Sequence, residues 1–108
     1  MDRNIDGIID GVADQVVAWR RHMHANPELS FEEYETSKFI TSILEGLDGI
    51  EVSHPSGTSV VGRLRGKRPG PVIAIRADFD ALPISEDTGL PFASKNEGVM
   101  HACGHDGH

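Results

Sequence analysis

The sequence has one cysteine, Cys103, so no disulfide can form within the chain and nothing marks an oxidising compartment. No apolar run is long enough to span a bilayer. The opening Met1-Asp2-Arg3-Asn4 lacks the basic start and apolar stretch of a secretory signal. Basic residues are scarce: 10 Lys and Arg stand against 17 Asp and Glu, a formal net charge of -7. The two basic pairs, Arg20-Arg21 and Lys67-Arg68, are short and set in acidic sequence, which reads as solvated surface rather than a phosphate-binding patch. No Gly-x-Gly-x-x-Gly or Walker-type loop is present, which argues against a nucleotide-binding module. The expectation is a soluble cytoplasmic protein with no nucleic-acid and no membrane partner.

What is present is the balance of a globular domain. Hydrophobic residues make up 38% and charged residues 25% of 108 positions, enough for one modest core. Ile5, Ile8, Ile9, Val12, Val16, Trp19 and Met23 recur at helical spacing, and Asn26-Pro27 should end that helix. Gly7 and Gly11 weaken its start. Ser30-Phe31-Glu32-Glu33 reads as a capping box with Ser30 as N-cap. The helix that follows carries Phe39, Ile40, Ile43, Leu44 and Leu47 on one face, with Gly46 or Gly49 to close it and Phe31 and Tyr34 packed at its beginning.

Beyond Gly49 the pattern turns to strands. Residues 50–52 and 60–64 are strand candidates separated by the turn His54-Pro55-Ser56-Gly57. Gly66 to Gly70 suggests a hairpin leading into Val72-Ile73-Ala74-Ile75, a continuous apolar run expected to be buried on both faces. From Arg76 on, prolines and glycines predict loop. Two helices followed by strands define an α/β class.

The chemistry gathers at the end of the chain. Residues 101–108, His-Ala-Cys-Gly-His-Asp-Gly-His, hold three of the 6 histidines and the only cysteine. Imidazole, thiolate and carboxylate are ligands for zinc and related divalent ions. Cys103 and His105, two apart on an extended segment, would point the same way and share one ion. Asp106 is placed to ligate or to orient a ligand. Against this, a lone Cys-x-His is a weak signal, and four-ligand zinc spacings are absent. Some twenty residues upstream, Asp78 and Asp80 follow the apolar run, and ligands gather at the carboxyl ends of strands. Two such aspartates repel unless a cation, proton or base intervenes. The plainer alternative is a surface loop, with Asp80 capping a turn and Arg76 neutralising Asp78.

Three stretches resolve the pattern. Trp19-Arg20-Arg21-His22-Met23-His24-Ala25-Asn26-Pro27-Glu28-Leu29-Ser30-Phe31-Glu32-Glu33, Arg76-Ala77-Asp78-Phe79-Asp80-Ala81-Leu82-Pro83-Ile84 and Gly98-Val99-Met100-His101-Ala102-Cys103-Gly104-His105-Asp106-Gly107-His108 resemble, in order and spacing, signatures of metal-dependent amidohydrolases of the hippurate hydrolase and auxin-conjugate hydrolase type, relatives of aminoacylases and zinc carboxypeptidases. The resemblance runs from about Val16 onward. It implies that residues 1–108 are the N-terminal part of a zinc-carboxypeptidase-like catalytic domain, truncated after the first metal-binding motif.

The resemblance also implies a role set. Cys103 and His105 match the family's first two metal ligands. Asp80 matches the aspartate that orients a ligand; Asp78 falls where many relatives carry a ligand histidine, a substitution usual in the hippurate hydrolase type, so Asp78 is not counted as a sure ligand. The expected cofactor is one or two divalent ions (manganese, zinc, cobalt or nickel), and the expected substrate is a small N-acyl amino acid such as a hippurate-like or N-acetyl compound. The family's general base lies in a Glu-Glu pair downstream, with two more ligand histidines further on. Glu32-Glu33 and Glu86-Asp87 stand too early in the order, and Glu32-Glu33 reads as helix N-terminal charge. His22 and His24 read as structural, His101 as a candidate to orient the ligand loop, and His108 as the opening of a further helix. Two functional expectations follow: the complete protein is an amidohydrolase that can form homo-oligomers, or the 108-residue chain is an inactive remnant that at most binds a divalent metal weakly.

Overall fold

A computed structural model describes residues 4–108. The absence of a signal was read from residues 1–4, and the first three of these lie outside the described part. Helix α1 spans Ile5–Ala25. Its first turn is capped by Asn4, whose side-chain oxygen accepts from the Gly7 N–H at 2.8 Å. A Cβ on residue 7 would stand 2.6 Å from that Asn4 side chain, so the glycine makes room for the cap. The helix stops as expected at Asn26-Pro27: Asn26 leaves helical geometry (φ -126°, ψ 58°), and its amide side chain donates to the His22 carbonyl at 2.8 Å.

Helix α2 spans Tyr34–Glu45 and is closed by Gly46. It does not begin with the capping box read from the sequence. Phe31 takes a left-handed φ of 68°, and this turn delays the helix so that Glu33, not Ser30, is the N-cap, with no side-chain cap of its own. The exposed amides are served from further upstream. The Glu28 carboxylate accepts from the N–H of Glu35 at 3.1 Å and from the N–H and hydroxyl of Thr36 at 2.5 and 2.6 Å. Phe31 and Tyr34 do not pack at the helix start; both side chains face outward.

Strands β1 (Ile50–Ser53) and β2 (Val61–Leu64) form a two-stranded antiparallel sheet in which Ile50 faces Leu64 and Ser53 faces Val61. The expected hairpin partner of residues 60–64 is therefore wrong: β2 folds back on β1, through the turn at residues 54–57. Residues 72–75, expected as a strand buried on both faces, run without a strand partner among the described residues. Val72, Ile73 and Ile75 are 84–95% exposed. An apolar run becomes a buried strand only where neighbours supply hydrogen bonds and cover, and here none does.

Helix α2 packs on β1, and the C-terminal half of α1 packs on the chain's last turn. The N-terminal half of α1, including Ile5, Ile8, Ile9, Val12 and Val16, stays exposed. Apart from Thr36 and Ser37 in α2, the buried positions among the described residues lie where the end of α1 meets the late loops: His24, Ala25, Pro27, Ala81, His101 and Asp106. Two short backbone ladders fasten those loops. Ala81 donates to the Glu28 carbonyl at 2.8 Å, and Leu82 and Met100 exchange hydrogen bonds at 2.9 Å. The loop holding Asp78 and Asp80 is thereby pinned between the α1–α2 connection and the His/Cys segment. Among the described residues, no helix is long and apolar enough to cross a membrane.

Candidate metal centre

The segment that carries Cys103 and His105 is not extended. Gly104 adopts a left-handed φ of 87°, where a side chain would be strained, and His105–Gly107 then form a single 3-10 turn. The turn separates neighbours that an extended chain would also have placed on opposite sides, but by a different geometry. His105 points to the aspartate loop and Asp106 points back into α1.

His105 meets both aspartates. Its Nδ1 lies 2.7 Å from Asp80 Oδ1 and 3.5 Å from Asp78 Oδ1. His108 Nδ1 lies 2.7 Å from the same Asp78 oxygen. Asp78, Asp80 and His105 each offer one ligand atom within 4.8 Å of the others, a spacing one divalent ion can bridge. The donor set of two carboxylates and one imidazole suits such an ion. Arg76, the alternative counter-charge for Asp78, stands 3.9 Å away on a side chain that is 87% exposed and contributes little.

The electrostatics follow the geometry. The hydrogen bond to Asp80 holds the His105 imidazole above its ordinary pKa of 6.5, with the Asp78 charge adding to it against some desolvation. The hydrogen bond from His108 holds the Asp78 carboxyl below its ordinary 3.8. A positive imidazole between two carboxylates relieves the repulsion that the sequence anticipated.

Of the three sequence-designated residues, Asp80 and His105 are brought together, whereas Cys103 is exposed and stands outside the cluster. Asp106 lies away from the cluster, bonded to His24 and Arg20. His101 is buried, with both ring nitrogens lacking partners, and burial pushes its pKa below 6.5. The reading of Glu32-Glu33 as helix N-terminal charge holds for Glu33 as the α2 N-cap, but Glu33 does more. It lines an open cleft of about 480 Å³ together with Ser30, Thr58, Asp78, Asp80 and His105, and its Oε1 is buried without a partner while Oε2 accepts from Thr58 at 3.3 Å. Glu33 and His108 were missed as members of this neighbourhood. No spacing in the sequence signals them, because long-range folding brings them there.

Residues 74–108 match the model of the peptidase family M20/M25/M40. That stretch carries both the aspartate pair and the His/Cys segment, and over it the chain is similar to the M20 type of peptidase, the kind the sequence signatures resembled. Among individual relatives, the chain is 57% identical over 104 residues to an N-acyl-L-amino acid amidohydrolase of Geobacillus stearothermophilus, covering 96% of this chain and 28% of that protein. It superposes on a protein from methicillin-resistant Staphylococcus aureus described as an aminohydrolase, with a TM-score of 0.93 and 46% identity, over 100% of this chain and 28% of the other. A second solved structure, the YXEP protein of Bacillus subtilis described as a dinuclear metal binding peptidase from the M20 family, gives a TM-score of 0.84 at 50% identity over 92% of this chain and 28% of the other. The chain spans about a quarter of the length of the relatives it matches.

Proposed function

We propose that the chain is the N-terminal part of the catalytic domain of a metal-dependent amidohydrolase that cleaves the amide bond of N-acyl amino acids, hippurate-like or N-acetylated. The observation that carries the reading is the 2.7 Å contact between Asp80 Oδ1 and His105 Nδ1. A carboxylate on one imidazole nitrogen fixes the ring and leaves Nε2 as the metal-binding atom, the usual arrangement of a histidine ligand. In this reading His105 and Cys103 bind the ion and Asp80 orients His105. Asp78 stands on the Nδ1 side of the same ring, 3.5 Å from that nitrogen, and adds negative charge beside it. When bound, manganese, zinc, cobalt or nickel would acidify a coordinated water and polarise the scissile carbonyl.

The relative from Geobacillus bears the name of an N-acyl-L-amino acid amidohydrolase, and YXEP is described as a dinuclear metal binding peptidase. Both support a hydrolase acting on a small amide substrate with one or two ions. A general base is expected from a glutamate outside residues 1–108, as are the remaining histidine ligands, so the 108-residue chain alone is expected to bind an ion weakly and turn over little. Cytoplasmic location and homo-oligomer formation by the complete protein belong to the same proposal.

The test is direct. The complete protein is stripped with chelator and assayed on benzoyl-glycine and N-acetyl amino acids, then reloaded with each metal in turn. Loss of hydrolysis with chelator and its return with a divalent ion are expected. Undiminished turnover in excess chelator would overturn the metal mechanism, and inactivity towards every N-acyl amino acid would overturn the substrate class.

A further inference from the structure

His24 lies far from the candidate centre in sequence and is not among its donors, yet it is one of the most buried polar side chains. Its Nδ1 stands 2.8 Å from Asp106 Oδ2, with the two side chains 3% and 1% exposed. Its Nε2 stands 2.9 Å from Glu86 Oε1, off hydrogen-bond alignment. Arg20, one turn earlier on α1, places its Nε 3.0 Å from the same Asp106 oxygen. Buried carboxylates are held only where such partners satisfy them. Asp106 is the residue after His105, inside the same 3-10 turn. That turn is short, and Gly104 before it gives the backbone freedom to move. The clamp on Asp106 therefore fixes the direction in which His105 leaves the turn.

We propose that His24 is a positioning residue for the metal centre: through its Nδ1 contact with Asp106 it locks the 3-10 turn so that His105 meets Asp80 and Asp78. The inference rests on the metal-centre reading given above. It separates the two contacts of one ring. The Asp106 contact sets metal affinity, and the Glu86 contact serves packing of the buried loops.

The ring can be dissected. An asparagine amide nitrogen sits as many bonds from the backbone as Nδ1, and a glutamine amide nitrogen as many as Nε2. His24→Asn retains the nitrogen that meets Asp106, and His24→Gln retains one at the position that approaches Glu86. Cobalt(II) alone is titrated into the 108-residue chain and its variants, reading the visible absorption of the bound ion and the heat of binding, with far-UV circular dichroism as the check of fold. The expected result is cobalt affinity close to the parent's for His24→Asn and about tenfold weaker for His24→Gln, with an altered cobalt spectrum.

Equal affinities in the two variants would overturn the inference and leave His24 a packing residue. His105→Ala is the control for the site itself. If it binds cobalt as the parent does, the metal-centre reading falls and the positioning role with it; if it loses binding while His24→Gln does not, only the positioning role falls. Should His24→Gln fail to fold, Asp106→Asn and Glu86→Gln pose the same contrast, with weakened binding expected only for Asp106→Asn.

Discussion

Asp80 Oδ1 and His105 Nδ1, 25 residues apart in sequence, stand 2.7 Å apart in the fold. Nothing local joins them. The Leu82–Met100 backbone pair brings their loops side by side, and Gly104 turns His105 back towards the aspartates. A carboxylate in this position fixes the ring and raises its basicity as a ligand.

Asp80→Ala should therefore weaken binding of manganese or zinc to the chain by about ten- to a hundredfold, with little change in fold. Asp80→Asn, which keeps an acceptor for Nδ1 without the charge, should fall between the two. Calorimetric titration measures both. Affinity unchanged in Asp80→Ala would remove Asp80 from the centre.

The metal-free chain should show a pH optimum of stability set by the same contacts. His105 has a raised pKa in the fold, so its contribution is fully present below its unfolded value of 6.5 and is lost as pH rises through the raised one. Asp78 has a lowered pKa, so its contribution is present above 3.8 and is lost as pH falls through the lowered one. The window in which both act lies between 3.8 and 6.5. Thermal melts in chelator should show Tm declining from pH 6 towards pH 9 in the parent, a decline that is smaller in His105→Gln. An identical decline in both chains would show that His105 is not its source.

Cys103 can be tested through its exposure. In the metal-free chain an exposed thiol should react readily with a thiol-specific alkylating reagent. If Cys103 closes on the ion as proposed, saturating zinc should slow that alkylation, and Cys103→Ala should weaken zinc binding while leaving the circular dichroism spectrum intact. Alkylation at the same rate with and without zinc would exclude the cysteine as a ligand.

Local signals in the sequence translated well into local structure. The helix read from the apolar period at residues 5–23, its stop at Asn26-Pro27, the helix carrying Phe39, Ile40, Ile43 and Leu44 and the strand at residues 50–52 are each set by near neighbours, and each is found, although Leu47 falls beyond the end of α2 and is exposed. The three signatures likewise marked the kind of protein, and they singled out Asp80 and His105 separately; the contact between the two comes from the fold. What misled was pairing and capping. Whether residues 60–64 pair with 50–53 or with 72–75 depends on which hairpin closes, and both turns carry the right residues. The cap of α2 was assigned to the nearest hydroxyl, Ser30, whereas a longer carboxylate two residues earlier reaches over it. Glu33, His108 and the His24–Asp106 clamp lie beyond any pattern of spacing, since only the assembled fold brings the first two to the centre and joins the last pair.

The cap of α2 offers a clean contest between the two readings. If Ser30 were the N-cap, Ser30→Ala would cost about 1 kcal/mol and Glu28→Ala little. In the fold the Glu28 carboxylate takes both backbone N–H groups of Glu35 and Thr36 and the Thr36 hydroxyl, so the order is reversed. Glu28→Ala should destabilise the chain by about 1–2 kcal/mol, because hydrogen bonds to an ionised acceptor are lost together and the amides of the first turn lose their partner. For a domain of this size that lowers Tm by about 4–8 °C per kcal/mol. Ser30→Ala should leave Tm nearly where it is. Glu28→Gln keeps one acceptor oxygen and should lose only part of the stability. Thermal melts of the three variants at one pH decide the matter: a larger drop for Ser30→Ala than for Glu28→Ala would restore the capping box and overturn the assignment of Glu28.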